Sequence, residues 1–286
     1  MADEVLYESA DGLKLFARRY GRRDSASKVL CMHGLTRNHK DFEPLIAKLG
    51  EDHDIIAVDQ RGRGRSDWDP KPERYAVPTY VGDMMRLLDL LGLREVALVG
   101  TSMGGLMSMV MMHLAPERFT GVVLNDIGPV LDKAGLDRIA GYVGGSAAVA
   151  SWEEAARLTE QVQSSAFPHF GPEDWMAFAK RTWVEKAPGE IRLDYDPAIA
   201  ASLGAIRIGF KERLAAWRLF SRMKSRPLLV VRGEISDLFS ARTAARMVKR
   251  HPDASEITVP NVGHAPILDE PEAAEGIGRF LDRLRR

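Results

Sequence analysis

Ser102 lies in Gly100-Thr101-Ser102-Met103-Gly104, a serine with a glycine two residues away on either side. The G-x-S-x-G pattern suits nucleophilic chemistry. A serine hydroxyl attacks a carbonyl only when it projects from a sharp turn, beside a base and near backbone donors. Glycines at 100 and 104 let the two arms of such a turn pass where larger side chains would collide. The flanks fit: Val96-Ala97-Leu98-Val99 is a β-rich apolar run, and Leu106 to Leu114 is an apolar helical one.

A nucleophilic serine needs a base within hydrogen-bond reach, and the base needs an acid to fix its tautomer. Among seven histidines, His264 is the favoured base. It sits in Asn261-Val262-Gly263-His264-Ala265-Pro266, just after the last expected strand, where parallel sheets assemble their sites. His33 precedes Gly34 at a strand end and reads as orienting that loop. His113 reads as packed, His53 and His251 as solvated, and His39 and His169 as possible pocket-lining groups. The acid should also follow a strand. Asp237, in Gly233-Glu234-Ile235-Ser236-Asp237, is favoured because it leaves acid and base on consecutive strand ends. Asp126, after the apolar run Gly121 to Leu124, competes with it, and Glu234 is a third candidate.

Other patterns have plainer readings. Met103, Met107, Met109, Met111 and Met112 have the spacing of a buried helix face rather than a metal site. No His/Cys/carboxylate grouping has zinc spacing, and Gly100 to Gly105 lacks the lysine of a phosphate loop. Gly62-x-Gly64 lacks the third glycine of a dinucleotide fingerprint. No cofactor and no metal are expected.

The elements that must position these groups follow in order. Val5 to Glu8 and Leu13 to Tyr20, joined by Asp11-Gly12, read as a hairpin. Strands are expected at Lys28 to Met32, Asp54 to Val58, Val96 to Val99, Gly121 to Leu124, Pro227 to Val231 and Ser255 to Val259. Helices are expected at Phe42 to Leu49, Tyr80 to Leu91, Leu106 to Leu114, Ala241 to Lys249 and from Pro271 onward. Strands alternating with helices imply a mostly parallel sheet covered on both faces. Residues 129–223 break the rhythm: they read as helical, without a strand, and hold four of the five tryptophans. The simplest architecture is an α/β core over 1–128 and 224–286, with a helical insertion at 129–223.

Composition sets bounds. The chain has 286 residues, 45% hydrophobic and 28% charged, with 40 basic and 40 acidic side chains. That balance argues against nucleic-acid binding, which needs a net basic face. Arg61 to Arg65 and Arg283 to Arg286 read as solvated or local structural clusters. Cys31 is the single cysteine, so no intramolecular disulfide can form, and it reads as a core thiol. No secretory signal and no membrane span are legible, which points to a cytoplasmic protein without membrane partners.

The order Ser102, Asp237, His264 is the triad order of the α/β-hydrolase superfamily, which the chain resembles over nearly its whole length. His33-Gly34 is similar to the superfamily's HG oxyanion loop, and Asp59-Gln60-Arg61-Gly62-Arg63-Gly64-Arg65-Ser66 to its D-x-R-G-x-G-x-S segment. Gly263-His264 matches its catalytic histidine loop, although Asp237 falls one residue later than the commoner G-x-x-D spacing. The resemblance implies an α/β-hydrolase fold of the capped, serine esterase-like branch, with residues 129–223 as cap. It also implies an oxyanion hole from the backbone N–H groups of Leu35 and Met103; the latter would open a helix, where free donors favour an anion. The implied activity is hydrolysis of carboxylic esters, extending to lactones, thioesters or polyesters, on a small and largely apolar substrate. The segments Leu124 to Pro129 and Arg232 to Leu238 resemble a bacterial branch that includes polyester-active esterases. Relatives with dehalogenase or epoxide hydrolase activity use an aspartate in place of Ser102. Two alternatives stand: a C–C bond hydrolase of vinylogous diketones, and a ligand-binding module without catalysis.

Overall fold

The computed structural model describes residues 2–145, 148–205 and 209–285. The chain opens with β1 (Asp3–Glu8) and β2 (Lys14–Gly21), an antiparallel hairpin. It continues through β3 (Lys28–Met32), α1 (Glu43–Leu49), β4 (Asp54–Asp59), α2 (Val77–Leu90), β5 (Val96–Thr101), α3 (Met103–Leu114) and β6 (Phe119–Asn125). The insertion follows, with α4 (Lys133–Tyr142), α5 (Trp152–Gln163), α6 (Pro172–Thr182), β7 (Trp183–Ala187), β8 (Glu190–Leu193) and α7 (Phe210–Ser221). The chain then returns as β9 (Leu228–Gly233), α8 (Ala241–Arg250), β10 (Ala254–Val259) and α9 (Pro271–Leu284).

Eight strands form one sheet in the order β1-β2-β4-β3-β5-β6-β9-β10. From β4 to β10 every neighbouring pair is parallel, so those strands end along one edge. Alternation along each strand sorts side chains to two faces. On β3, Leu30 and Met32 join a core beneath α2 and α3, while Val29 and Cys31 join the opposite core against α1 and α9. The methionines of α3 pack in the first of these cores.

Among the described residues, the chain between β6 and β9 adds no strand to this sheet; 146–147 and 206–208 lie outside them. It is not purely helical. β7 and β8 form a separate antiparallel hairpin, contrary to the expectation of no strand in 129–223. The turn there contains Gly189 at φ 74, and the hairpin buries only Trp183 and Ile191 fully. Two strands of four and five residues leave too short an alternation to stand out beside neighbouring helices. The insertion is tied to the core through backbone. Gly64 N–H donates to Asp194 O at 2.9 Å, Asp196 N–H to Gly62 O at 2.7 Å, and Gly263 N–H to Ala166 O at 2.7 Å.

Candidate active site

Ser102 occupies the turn from β5 into α3 with φ 51 and ψ −113, a backbone region costly for a residue with a side chain. The turn closes because its neighbours are glycine. A Cβ on Gly100 would lie 2.4 Å from Gly104 O, and one on Gly104 would lie 2.0 Å from Met32 O.

His264 faces Ser102, its Nε2 2.9 Å from Oγ. Its Nδ1 lies 2.8 Å from Oδ2 of Asp126, not Asp237. A carboxylate only accepts, so Nδ1 carries the proton and Nε2 is left to take one from the serine. Asp126 is fully buried, which is tolerable only with several donors. It has them: Gly233 N–H reaches Oδ1 at 2.8 Å, and Ser236 Oγ–H reaches Oδ2 at 2.5 Å beside the His264 ring.

The expected acid, Asp237, is therefore corrected. Its carboxylate accepts from Arg138 Nε at 2.6 Å and Nη2 at 2.9 Å, on α4 of the insertion. That guanidinium holds the Asp237 carboxyl below its ordinary range. In the loop after β9, Ser236 turns inward and Asp237 outward. Glu234, the third candidate, accepts from Asn261 N–H at 2.9 Å near the surface. The signal for Asp126 was pairing register: Thr101 pairs with Asn125 across β5 and β6, so the next residues, Ser102 and Asp126, leave adjacent strand ends together.

Leu35 and Met103 both border the cavity at Ser102, and neither backbone N–H has a protein acceptor among the described residues. His33 shapes the Leu35 loop as its position suggested. Its Nδ1–H donates to Gly34 O at 2.7 Å and its Nε2 accepts from Gln60 N–H at 3.1 Å. Complete burial pushes its pKa down to about 4, which keeps the ring neutral in that role. The remaining histidines differ from expectation. His53 and His251 are buried on Ser27 Oγ and Met223 O, and His113 is exposed. His39 is buried against Asp59 at 2.8 Å, and His169 is exposed, so neither lines the site.

A slot of about 50 Å³ lies over Ser102 and His264. It shares Leu35, Ser102 and Ile139 with an apolar chamber of about 550 Å³, bordered further by Leu106, Leu136 and Leu238. It also shares Thr36, Arg37, Tyr142 and Gln163 with a more polar chamber of about 440 Å³, lined by Thr36 and Arg37 and by residues of 141–195.

The fold and the sequence have counterparts. A crystal structure of an α/β hydrolase from Novosphingobium aromaticivorans superposes with a TM-score of 0.91 at 39% identity, covering 99% of this chain and 98% of that one. The 3-hydroxybutyrate-oligomer hydrolase of Cupriavidus necator is 37% identical over 251 residues, 85% of this chain and 84% of the relative. The 2-(acetamidomethylene)succinate hydrolase of Mesorhizobium japonicum is 29% identical over 91% of this chain and 90% of its own length. The family model for the alpha/beta hydrolase fold matches residues 28–271, and with the parallel sheet and the turn at Ser102 this makes the chain a member of the α/β-hydrolase family.

Proposed function

We propose that the protein hydrolyses carboxylic esters through an acyl-enzyme on Ser102, with His264 as base and Asp126 as the acid that orients it. The observation that carries this reading is the unbroken hydrogen-bond chain from Ser102 Oγ through both ring nitrogens of His264 to Asp126. Ser102 attacks the acyl carbon as Nε2 takes its proton, and the Leu35 and Met103 amides, which have no protein acceptor among the described residues, hold the oxyanion. The imidazolium returns the proton to the leaving alcohol; the neutral ring then takes a proton from water, which attacks the acyl-enzyme carbonyl, and gives it to Ser102 Oγ as the Oγ–acyl bond breaks and the acid leaves. Asp126 stays ionised and stabilises the imidazolium throughout.

The insertion at 129–223 acts as a cap over this centre: Leu136 and Ile139 border the apolar chamber, and Tyr142 the polar one. Two chambers that share lining residues with the slot over Ser102 suit an ester with bulk on both sides of the scissile bond. An oligoester of short hydroxy acids has that form, and the similarity to a 3-hydroxybutyrate-oligomer hydrolase supports it. The test uses p-nitrophenyl butyrate, a 3-hydroxybutyrate trimer and a vinylogous diketone. Ser102→Ala should lose at least about a thousandfold in kcat on the esters. Retention of turnover by that variant would reject the mechanism, and turnover of the diketone alone would reject the substrate class.

A further inference from the structure

Two arginines two residues apart are both buried, and their surroundings differ. Arg61 meets three carboxylates, Asp11 at 2.8 Å, Asp69 at 2.6 Å and Asp83 at 2.8 Å, the expected compensation for a structural cation. Arg63 is fully buried, and among the described residues it forms no ion pair with a carboxylate. Its Nε donates to Leu35 O at 2.9 Å, and its Nη1 donates to Arg61 O at 2.7 Å and Tyr80 Oη at 2.9 Å. Its Nη2 lies 4.0 Å from Met103 Sδ. The rings of Tyr80 and Tyr75 flank it, with centroids 4.9 and 5.5 Å from the guanidinium carbon.

The two residues it touches at the site, Leu35 and Met103, are those that border the cavity at Ser102 with backbone N–H groups lacking a protein acceptor among the described residues. A buried cation held by neutral acceptors keeps its field free to act on a negative charge that develops nearby. In the ester mechanism that charge is the oxyanion of the tetrahedral intermediate. We propose that Arg63 is a positioning residue for the oxyanion, fixing the Leu35 loop through its carbonyl and placing an uncompensated positive charge behind the two amides. The inference rests on the ester-hydrolysis reading above. The guanidinium does not touch substrate; it acts through Leu35 and through its field, which low polarity around it leaves little screened.

The test compares Arg63→Met and Arg63→Gln, which remove the charge, with Arg63→Lys, which keeps it. Each variant is assayed on p-nitrophenyl butyrate, with kcat expressed per site titrated by a fluorophosphonate. Affinity for a trifluoromethyl ketone carrying the same acyl chain reports binding of the tetrahedral adduct, and thermal unfolding reports folding. The neutral variants should lose roughly 30-fold in kcat with KM within about twofold, and weaken the ketone in proportion. Arg63→Lys should recover most of that loss. Whichever neutral variant folds carries the measurement. A neutral variant with wild-type kcat per titrated site overturns the proposal. So does equal impairment of the lysine and neutral variants, with the loss in KM and melting temperature. Failure of the underlying reading shows elsewhere, as ester turnover that survives Ser102→Ala.

Discussion

At the scale of single residues, Asp126 and Asp237 are separated by what each carboxylate faces. Asp126 lies beneath the imidazole and takes three donors, from Gly233, Ser236 and His264. Asp237 is neutralised by Arg138 and serves the contact between α4 and the core. The Asp126→Asn variant keeps the shape but offers Nδ1 an amide, so the ring can settle in the wrong tautomer. It should lose roughly 10³- to 10⁴-fold in kcat with intact folding. The Asp237→Asn variant should stay within about threefold in kcat and lose up to about 1 kcal/mol of stability with the ion pair. Steady-state kinetics on p-nitrophenyl butyrate beside thermal melts check both. A large kcat loss confined to Asp237→Asn would reverse the assignment. Choosing between these carboxylates needed sheet register, which sequence order does not carry: β9 and β10 are consecutive in the chain, but β6 is the neighbour of the strand bearing Ser102.

At the scale of elements, the site depends on β5 turning into α3 within van der Waals contact of β3. The Cβ of an alanine at Gly104 would overlap the Met32 carbonyl, which is backbone in a central strand and cannot rotate away. Gly104→Ala should therefore destabilise the fold by about 3 kcal/mol or more and lower the melting temperature by roughly 8 °C. A melt unchanged from wild type would mean that β3 shifts freely. The same elements show what was legible beforehand. β3 was expected at its observed bounds because Val29-Leu30-Cys31-Met32 is apolar on both faces, as a doubly covered strand must be. The β7–β8 hairpin was not legible, since Glu185, Lys186, Glu190 and Arg192 interrupt its few apolar residues. His53 and His251 read as solvated in the sequence but are buried, for a related reason. Their burial comes from contacts with Ser27 and Met223, which are distant in the chain.

At the scale of the whole molecule, the loop bearing His264 is anchored where α9 begins, and that anchor carries a titrating carboxyl. Glu270 precedes α9, and its Oε1 accepts from Ile267 N–H at 3.0 Å. Its Oε2 is buried without a partner among the described residues. Burial, reinforced by the neighbouring Asp269 charge, pushes its pKa up to about 7 from the ordinary 4.5. Between those values the folded chain binds a proton that the unfolded chain has released. Stability therefore falls as pH rises through that window, the reverse of a salt-bridged carboxylate. The neutral form is fully stabilising below pH 4.5, and roughly 3 kcal/mol is lost by pH 8. Glu270→Gln keeps an oxygen for Ile267 N–H and cannot ionise, so its stability should lack this component. Denaturant unfolding of both proteins from pH 4.5 to 8 isolates it, because every other titrating group contributes equally and cancels in the difference. The variant should gain on the wild type steadily with pH and lead it at pH 8. A difference independent of pH would mean that Glu270 ionises in the folded protein as it does in water, and that its second oxygen finds solvent.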